Sequence, residues 1–356
     1  MNKLSLTGLT ATLLGLVAGS HLQAGNLATP SGILQVTVPA GKRVLLATPF
    51  VRPEASRGSI VGIADKTFTI SGATYTADQY KVGTSNSTPY ILEILDGPNI
   101  GFVSFITGNS ANTITVEDTI PTGNPSNTRY VVREDWTVAT LLGSASSPKG
   151  NLAAGTTAQN ADNISFFSPN GKLETFFRWR NSNSTQFAWY LSAKSGTNWV
   201  SVADRRVPFG QGLLVERKAL SAGKVNLDGE VRATRLRREI AGFPRWNLVA
   251  NPNPFENPLS DFGLEMAPGT ASSADSVYLW DSNQGSKGGL VQYYRSSSSP
   301  STWKNSAGSV IDPTAIKVAP GTAVVVQRGQ GRTSALAGDS ALKLNPIPVL
   351  VPPLAP

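Results

Sequence analysis

Apolar and polar residues alternate along most of the chain, in short runs. Examples are "KTFTI" (66–70), "GFVSFI" (101–106), "NTITVE" (112–117), "YVVR" (130–133), "LETFFRW" (173–179), "QFAWYLS" (186–192) and "TAVVVQR" (322–328). A period of two places successive side chains on opposite faces of an extended strand. Asp96-Gly97, Asn170-Gly171 and Asp228-Gly229 stand between such runs as turn formers. Short strands at this spacing predict an all-β sandwich or barrel. Only "TVATLLG" (137–143) and "PLSDFGL" (258–264) read as single helical turns, with Pro258 suited to a first turn.

The strand pattern recurs. Residues 209–217, "FGQGLLVER", align without gaps with 320–328, "PGTAVVVQR". Upstream, Leu45, Ala47 and Pro49 answer Leu248, Ala250 and Pro252, and "ATLLG" (139–143) answers "LSDFG" (259–263). Between these, the letters pair Trp179 with Trp280, Tyr190 with Tyr294 and Trp199 with Trp303. Such self-similarity predicts two pseudo-repeated β-units packed as a sandwich-like domain. In the first unit the parts are interrupted after Pro49-Phe50 by several further strand-like runs, which predict an inserted, small β-barrel-like module. Insertions of that size are tolerated at surface turns. The expected organisation is a first unit at 25–52 and 136–230, an inserted module at 53–135, a second unit at 231–344, and a proline-rich tail at 345–356.

The opening "MNKLSLTGLTATLLGLVAGSHLQAG" has a basic start, an apolar run and small residues after it. It reads as a secretory signal peptide at 1–24, with the run short for a membrane span of roughly 20 residues. The expected location is therefore extracellular or cell-surface, with the periplasm as the other compartment, and no transmembrane span remains after cleavage. The one histidine, His21, lies in this leader, and the chain has no cysteine. A mature chain without imidazole or thiol excludes Ser-His-Asp and Cys-His catalysis and leaves no His or Cys metal ligand. No cofactor is expected.

The net charge of +8 fits solubility or attraction to an anionic polysaccharide or cell-envelope component. No nucleic-acid-binding motif occurs. Arg232, Arg235, Arg237 and Arg238 cluster in "EVRATRLRRE" (230–239). They read either as an exposed linker or edge strand that blocks edge-to-edge pairing, or as a polyanion patch. Trp189, Trp199, Tyr293 and Trp303 are the candidate ring-stacking residues for a sugar; the alternative places such aromatics in the core. Asp281 and Asn283 read as a polar turn rather than a calcium loop. Glu93, Glu117, Glu174 and Glu216 lie in strand-like runs, from which a two-carboxylate glycosidase site would have to be drawn.

The segments "VPAGKRVLLATPFVRP" (38–53), "YILEILDGPNIGFVSFITGNSANTITVED" (90–118), "REDWTVATLLG" (133–143) and "NLVANPNPFENPLSDFGL" (247–264) occur in an order that resembles a large paralogous family of uncharacterised secreted β-rich proteins of verrucomicrobial bacteria. The resemblance spans most of the mature chain and implies export and a β-rich fold. It implies no catalytic residue. The leading expectation is an exported, non-enzymatic structural or adhesive component. A glycan-binding module and a carbohydrate-active enzyme are the alternatives.

Overall fold

The computed structural model describes residues 31–331 and 342–343, apart from 73, 84–86, 121–126, 168–171, 194–197, 233, 235, 239–241, 263–265 and 299–301. The leader at 1–24 and the tail at 345–356 lie outside the described residues. The protein is nearly all β, as its alternation predicts. Among the described residues no helix is long and apolar enough to cross a membrane.

The chain opens with β1 (Ser31–Val38), β2 (Arg43–Leu46) and β3 (Phe50–Val51). It then runs through β4 (Glu54–Ala64), β5 (Thr67–Ser71), β6 (Tyr90–Ile94), β7 (Val103–Asn109), β8 (Thr113–Val116) and β9 (Thr128–Glu134). These six close into a barrel in the order β4-β5-β8-β7-β6-β9. Closure removes the exposed edges that a small open sheet would present. Alternate side chains fill its interior, among them Ile60, Phe68, Leu92, Ile106, Ile114 and Tyr130. A barrel this narrow is a packed core rather than a channel.

After the barrel come β10 (Trp136–Thr137), α1 (Val138–Leu142), β11 (Asn163–Phe167), β12 (Leu173–Arg180) and β13 (Phe187–Leu191). Thr137 caps α1 in a reciprocal capping box with Thr140. Then follow β14 (Arg206–Val207), β15 (Leu213–Glu216) and β16 (Gly223–Val231). Two sheets, β13-β12-β11-β15-β2 and β1-β16-β3, enclose a core that includes Leu46, Ile164, Phe176, Trp189, Val215 and Leu227.

The second half begins with β17 (Arg237–Arg238), β18 (Trp246–Ala250) and β19 (Asn257–Pro258), then a 3-10 turn at Leu259–Phe262. It continues through β20 (Ser276–Asp281), β21 (Gly289–Arg295), β22 (Trp303–Asn305), β23 (Val310–Ile311), β24 (Lys317–Val318), β25 (Ala323–Gln327) and β26 (Leu342–Lys343). Its main sheet has the order β18-β25-β20-β21-β22-β23. Position for position, the first five strands follow the order β2-β15-β11-β12-β13 of the first half.

The hydrogen bonds match as well. Buried Asp162 accepts from the backbone N–H groups of Ala153 (2.7 Å) and Lys218 (2.8 Å) and pairs with the Arg217 guanidinium. Buried Asp275 accepts from Ala267 (3.1 Å) and Gly329 (2.7 Å) and pairs with Arg328. Arg178 donates to the Leu152 carbonyl at 3.2 Å, and Arg295 to the Met266 carbonyl at 3.4 Å. Removing one partner of such a buried pair leaves an uncompensated charge, at a cost of about 3–5 kcal/mol.

The pairing register also revises the equivalences drawn from letters. Arg178 faces Trp189, and Arg295 faces Trp303, so Trp189 rather than Trp199 holds the place of Trp303. Asn163 pairs with Glu216 and Ser276 with Gln327. Counting along β11 and β20 from there puts Phe167, not Trp179, in the place of Trp280. Register is set by the ladder to β15 and β25 and by which face is buried. Identical letters on neighbouring strands do not fix it.

The halves meet through equivalent surfaces. Ala47 N–H donates to the Gly321 carbonyl and Ala250 N–H to the Gly210 carbonyl, both at 2.9 Å. The bridges Leu46↔Thr322 and Gln211↔Val249 form a second such pair. Leu45, Ala47, Leu248, Ala250, Ala323 and Val325 form the buried seam between the sheets. At its centre a Cβ on Gly212 would lie 2.3 Å from the Ala323 Cβ. Gly212→Ala is therefore expected to lower the unfolding free energy by about 1–3 kcal/mol. The added change Ala323→Gly should recover most of the loss, as read by urea denaturation.

Candidate functional site

On β12 the side chains of Phe176 and Arg178 face the first core, so Phe177 and Trp179 face outward. On β13 Trp189 faces inward and Tyr190 outward. Trp199, from the loop after β13, lies over this outer face. Its ring stacks on Tyr190 (6.2 Å between centroids, 14° between planes) and meets Phe177 edge-on at 5.2 Å. Tyr190 in turn contacts Trp179 at 5.7 Å. Phe177 is fully buried beneath, while Trp179, Tyr190 and Trp199 are each half-buried. The three form a continuous, half-buried aromatic ridge. A depression of about 330 Å³ is lined by Glu174, Leu191, Ser201, Val202 and Arg205, and none of the ridge residues lines it.

Of the aromatics expected to stack on a ligand, only Trp199 lies on this surface. Trp189 is 1% exposed, packed edge-on to Phe176, with its indole N–H donating to the Gly143 carbonyl at 3.0 Å. Trp303 is 9% exposed in the second core, and Tyr293 is half-buried against that core. Burial raises the Tyr293 hydroxyl pKa. These three are packing residues because the inner face of each sheet is apolar. Trp179 and Tyr190 were the aromatics to single out. Their signal was outward phase on adjacent strands.

Arg232 is not on the surface. It is 6% exposed, donates from Nε to Glu93 at 2.8 Å and from Nη2 to the Gly101 carbonyl at 3.3 Å, and lies over the Phe209 ring. It fastens the barrel to the body instead of facing a polyanion. The segment around it is likewise no exposed linker: Leu236 is buried in the second core, and Arg237 and Arg238 pair with β26. Arg235 lies outside the described residues, as do the side chains of Arg237 and Arg238.

Arg133 joins the same junction, pairing with Glu93 and, at 2.7 Å, with Glu230. Arg206 bridges Asp135 (2.9 Å) and Glu117 (3.0 Å) across it. Burial would push the Glu93 carboxyl up, but Arg232, Thr234 and Arg133 outweigh it and hold the pKa below its usual value. At Asp135 burial wins over Arg206 and the pKa is raised.

All four glutamates considered as glycosidase acids are held by cations of the chain. Glu93 and Glu117 lie at the junction, and Glu174 takes two contacts of 2.7 Å from Arg205. Glu216 accepts from Arg43 (2.9 Å), Lys218 (2.7 Å) and Lys287 (2.6 Å). Asp281 accepts from the Asn283 N–H at 2.8 Å, a local polar turn. Among the described residues no group of three acidic or histidine side chains is placed to hold a metal ion.

No family model, curated protein or solved structure matches the chain.

Glu216 supplies a titration. Burial raises its pKa, but hydrogen bonds from Lys218, Lys287 and Arg43 more than offset this and bring it to about 2, against 4.5 for an ordinary glutamate. A carboxyl depressed on folding contributes stability that is complete above its unfolded pKa and lost as the pH falls through the folded one. Glu216→Gln should thus destabilise the protein at pH 6. The gap to the parent should shrink between about pH 4.5 and pH 2, as followed by thermal melts across that range.

Proposed function

We propose that the protein is an exported, non-enzymatic β-scaffold, a structural or adhesive component of the cell surface or extracellular matrix. It is built from a duplicated β-unit that carries an inserted barrel. One observation supports this reading most: the five buried carboxylates among the described residues, Glu93, Asp135, Asp162, Glu216 and Asp275, are each paired with arginine or lysine of the same chain. A general acid or base must trade a proton with substrate. Groups locked in structural pairs do not serve that end. The leader-like opening and the likeness to secreted verrucomicrobial proteins agree with export, to the surface or beyond, with envelope components as partners.

The aromatic ridge favours a second reading, glycan binding. Phe177, Trp179 and Tyr190 have Tyr294, Ser296 and Lys304 as their counterparts by register in the second half. The ridge is thus specific to one half, whereas the core tryptophans Trp189 and Trp303 are common to both. A sugar ring offers apolar C–H faces that suit such a surface.

Cell fractionation should place the processed chain in envelope or secreted material. The intact leader-bearing chain in the cytosol would contradict export. On a glycan array, a ligand held by the ridge should lose roughly tenfold in affinity, about 1.4 kcal/mol, on Trp179→Ala. Weak dependence on salt would mark a neutral sugar, and steep dependence an acidic one. Hydrolysis of any arrayed glycan by the purified protein would overturn the non-enzymatic reading.

A further inference from the structure

The strand β1 is the edge of its sheet, paired on one side with β16 (Leu34↔Leu227, Val36↔Val225). Among the described residues no other strand pairs with it. The direction of its amides follows from its neighbour. Asn226 N–H donates to the Lys149 carbonyl and Asn151 N–H to the Lys224 carbonyl. Residues 224 and 226 thus aim their backbone groups away from β1, and Val225 and Leu227 aim theirs toward it. Leu34 and Val36 complete that ladder. Alternation then turns the N–H and C=O groups of Ile33, Gln35 and Thr37 to the open side.

This edge lacks the devices that keep edges apart. The strand "SGILQVTV" has no charge and no proline over eight residues, and Ile33 in it is 81% exposed. Natural edges are blunted by charge, proline, bulges or short length. The second half carries charge at the corresponding place: β17, which precedes β18 as β1 precedes β2, contains Arg237 and Arg238.

We infer that β1 is the docking edge for a second copy of this chain, joined in antiparallel fashion about a two-fold axis at Leu34. In that pairing Ile33 lies opposite Gln35 of the partner subunit, and Gln35 opposite the partner's Ile33. Each pair exchanges two backbone hydrogen bonds through the outward groups. A two-fold makes the strand its own complement, with no like charges brought together. A two-fold contact uses the β1 edge of both chains at once, so this pairing closes at a dimer instead of running on as a fibre. The inference rests on strand geometry and holds whether or not the scaffold reading does.

The test is the mass of the purified protein in solution, by light scattering after size exclusion, together with two variants. Gln35→Pro removes an N–H that points away from β16, the position where an edge strand tolerates proline. Ile33→Lys puts a charge on the edge. The expected result is a dimer for the parent and monomers for both variants, each with the far-UV circular dichroism of the parent and a melting temperature that no longer depends on protein concentration. Slow hydrogen exchange at Ile33, Gln35 and Thr37 in the parent would report the same contact without any substitution. A monomeric parent, or variants that stay dimeric, would overturn the inference; so would fast exchange at those three amides in the parent.

Discussion

At Gly212 the two halves of the chain approach so closely that one methyl group would overlap Ala323. The seam around this point governs the architecture. It orients two like-ordered sheets through paired contacts, Ala47 to Gly321 and Ala250 to Gly210. It also buries the outward apolar residues of four strands, β2, β15, β18 and β25, which would otherwise form an exposed patch. Each half has its own core on the other side of its sheet. The strands of the seam are thus covered on both faces, which explains their continuous apolar runs, "RVLLA" and "AVVVQ".

Around the seam, buried charge acts as a locator. Asp162 and Asp275 each tie the loop ahead of a sheet strand to the end of the shared strand through an arginine and two backbone amides. Glu93 does the equivalent work for the barrel, whose outer face is held by Arg232, Arg133 and Arg206. Buried pairs of this kind add little net stability but are costly to break. Their effect here is to admit one docking of each loop and of the barrel. Of the arginines that suggested a polyanion surface, Arg232 lies inside the fold, while the ridge of Trp179, Tyr190 and Trp199 and the edge of β1 face outward.

Much of this was legible in the sequence. Alternation and Asp-Gly or Asn-Gly turns marked an all-β fold, and the surplus of strand-like runs after Phe50 marked a small barrel. The gapless likeness of 209–217 to 320–328 falls on β15 and β25, which hold the same place in the orders of their two sheets. What escaped detection has physical causes. Trp189, Trp199 and Trp303 cannot be told apart by letter, because strand register depends on hydrogen-bonding neighbours distant in sequence. Arg232 looked exposed because its partner Glu93 is 139 positions away, inside the inserted barrel. The Asp162 and Asp275 pairs had a visible trace, Ala-Asp before a strand and Arg after another, but single residues so far apart are not conspicuous.

The seam should be the most stable part of the molecule. Native-state hydrogen exchange measures this directly, since amides that open only with global unfolding exchange last. The slowest amides are predicted in Arg43–Leu46, Leu213–Glu216, Trp246–Ala250 and Ala323–Gln327, in both halves together. Faster exchange in these four strands than in the barrel, or slow exchange confined to one half, would contradict it.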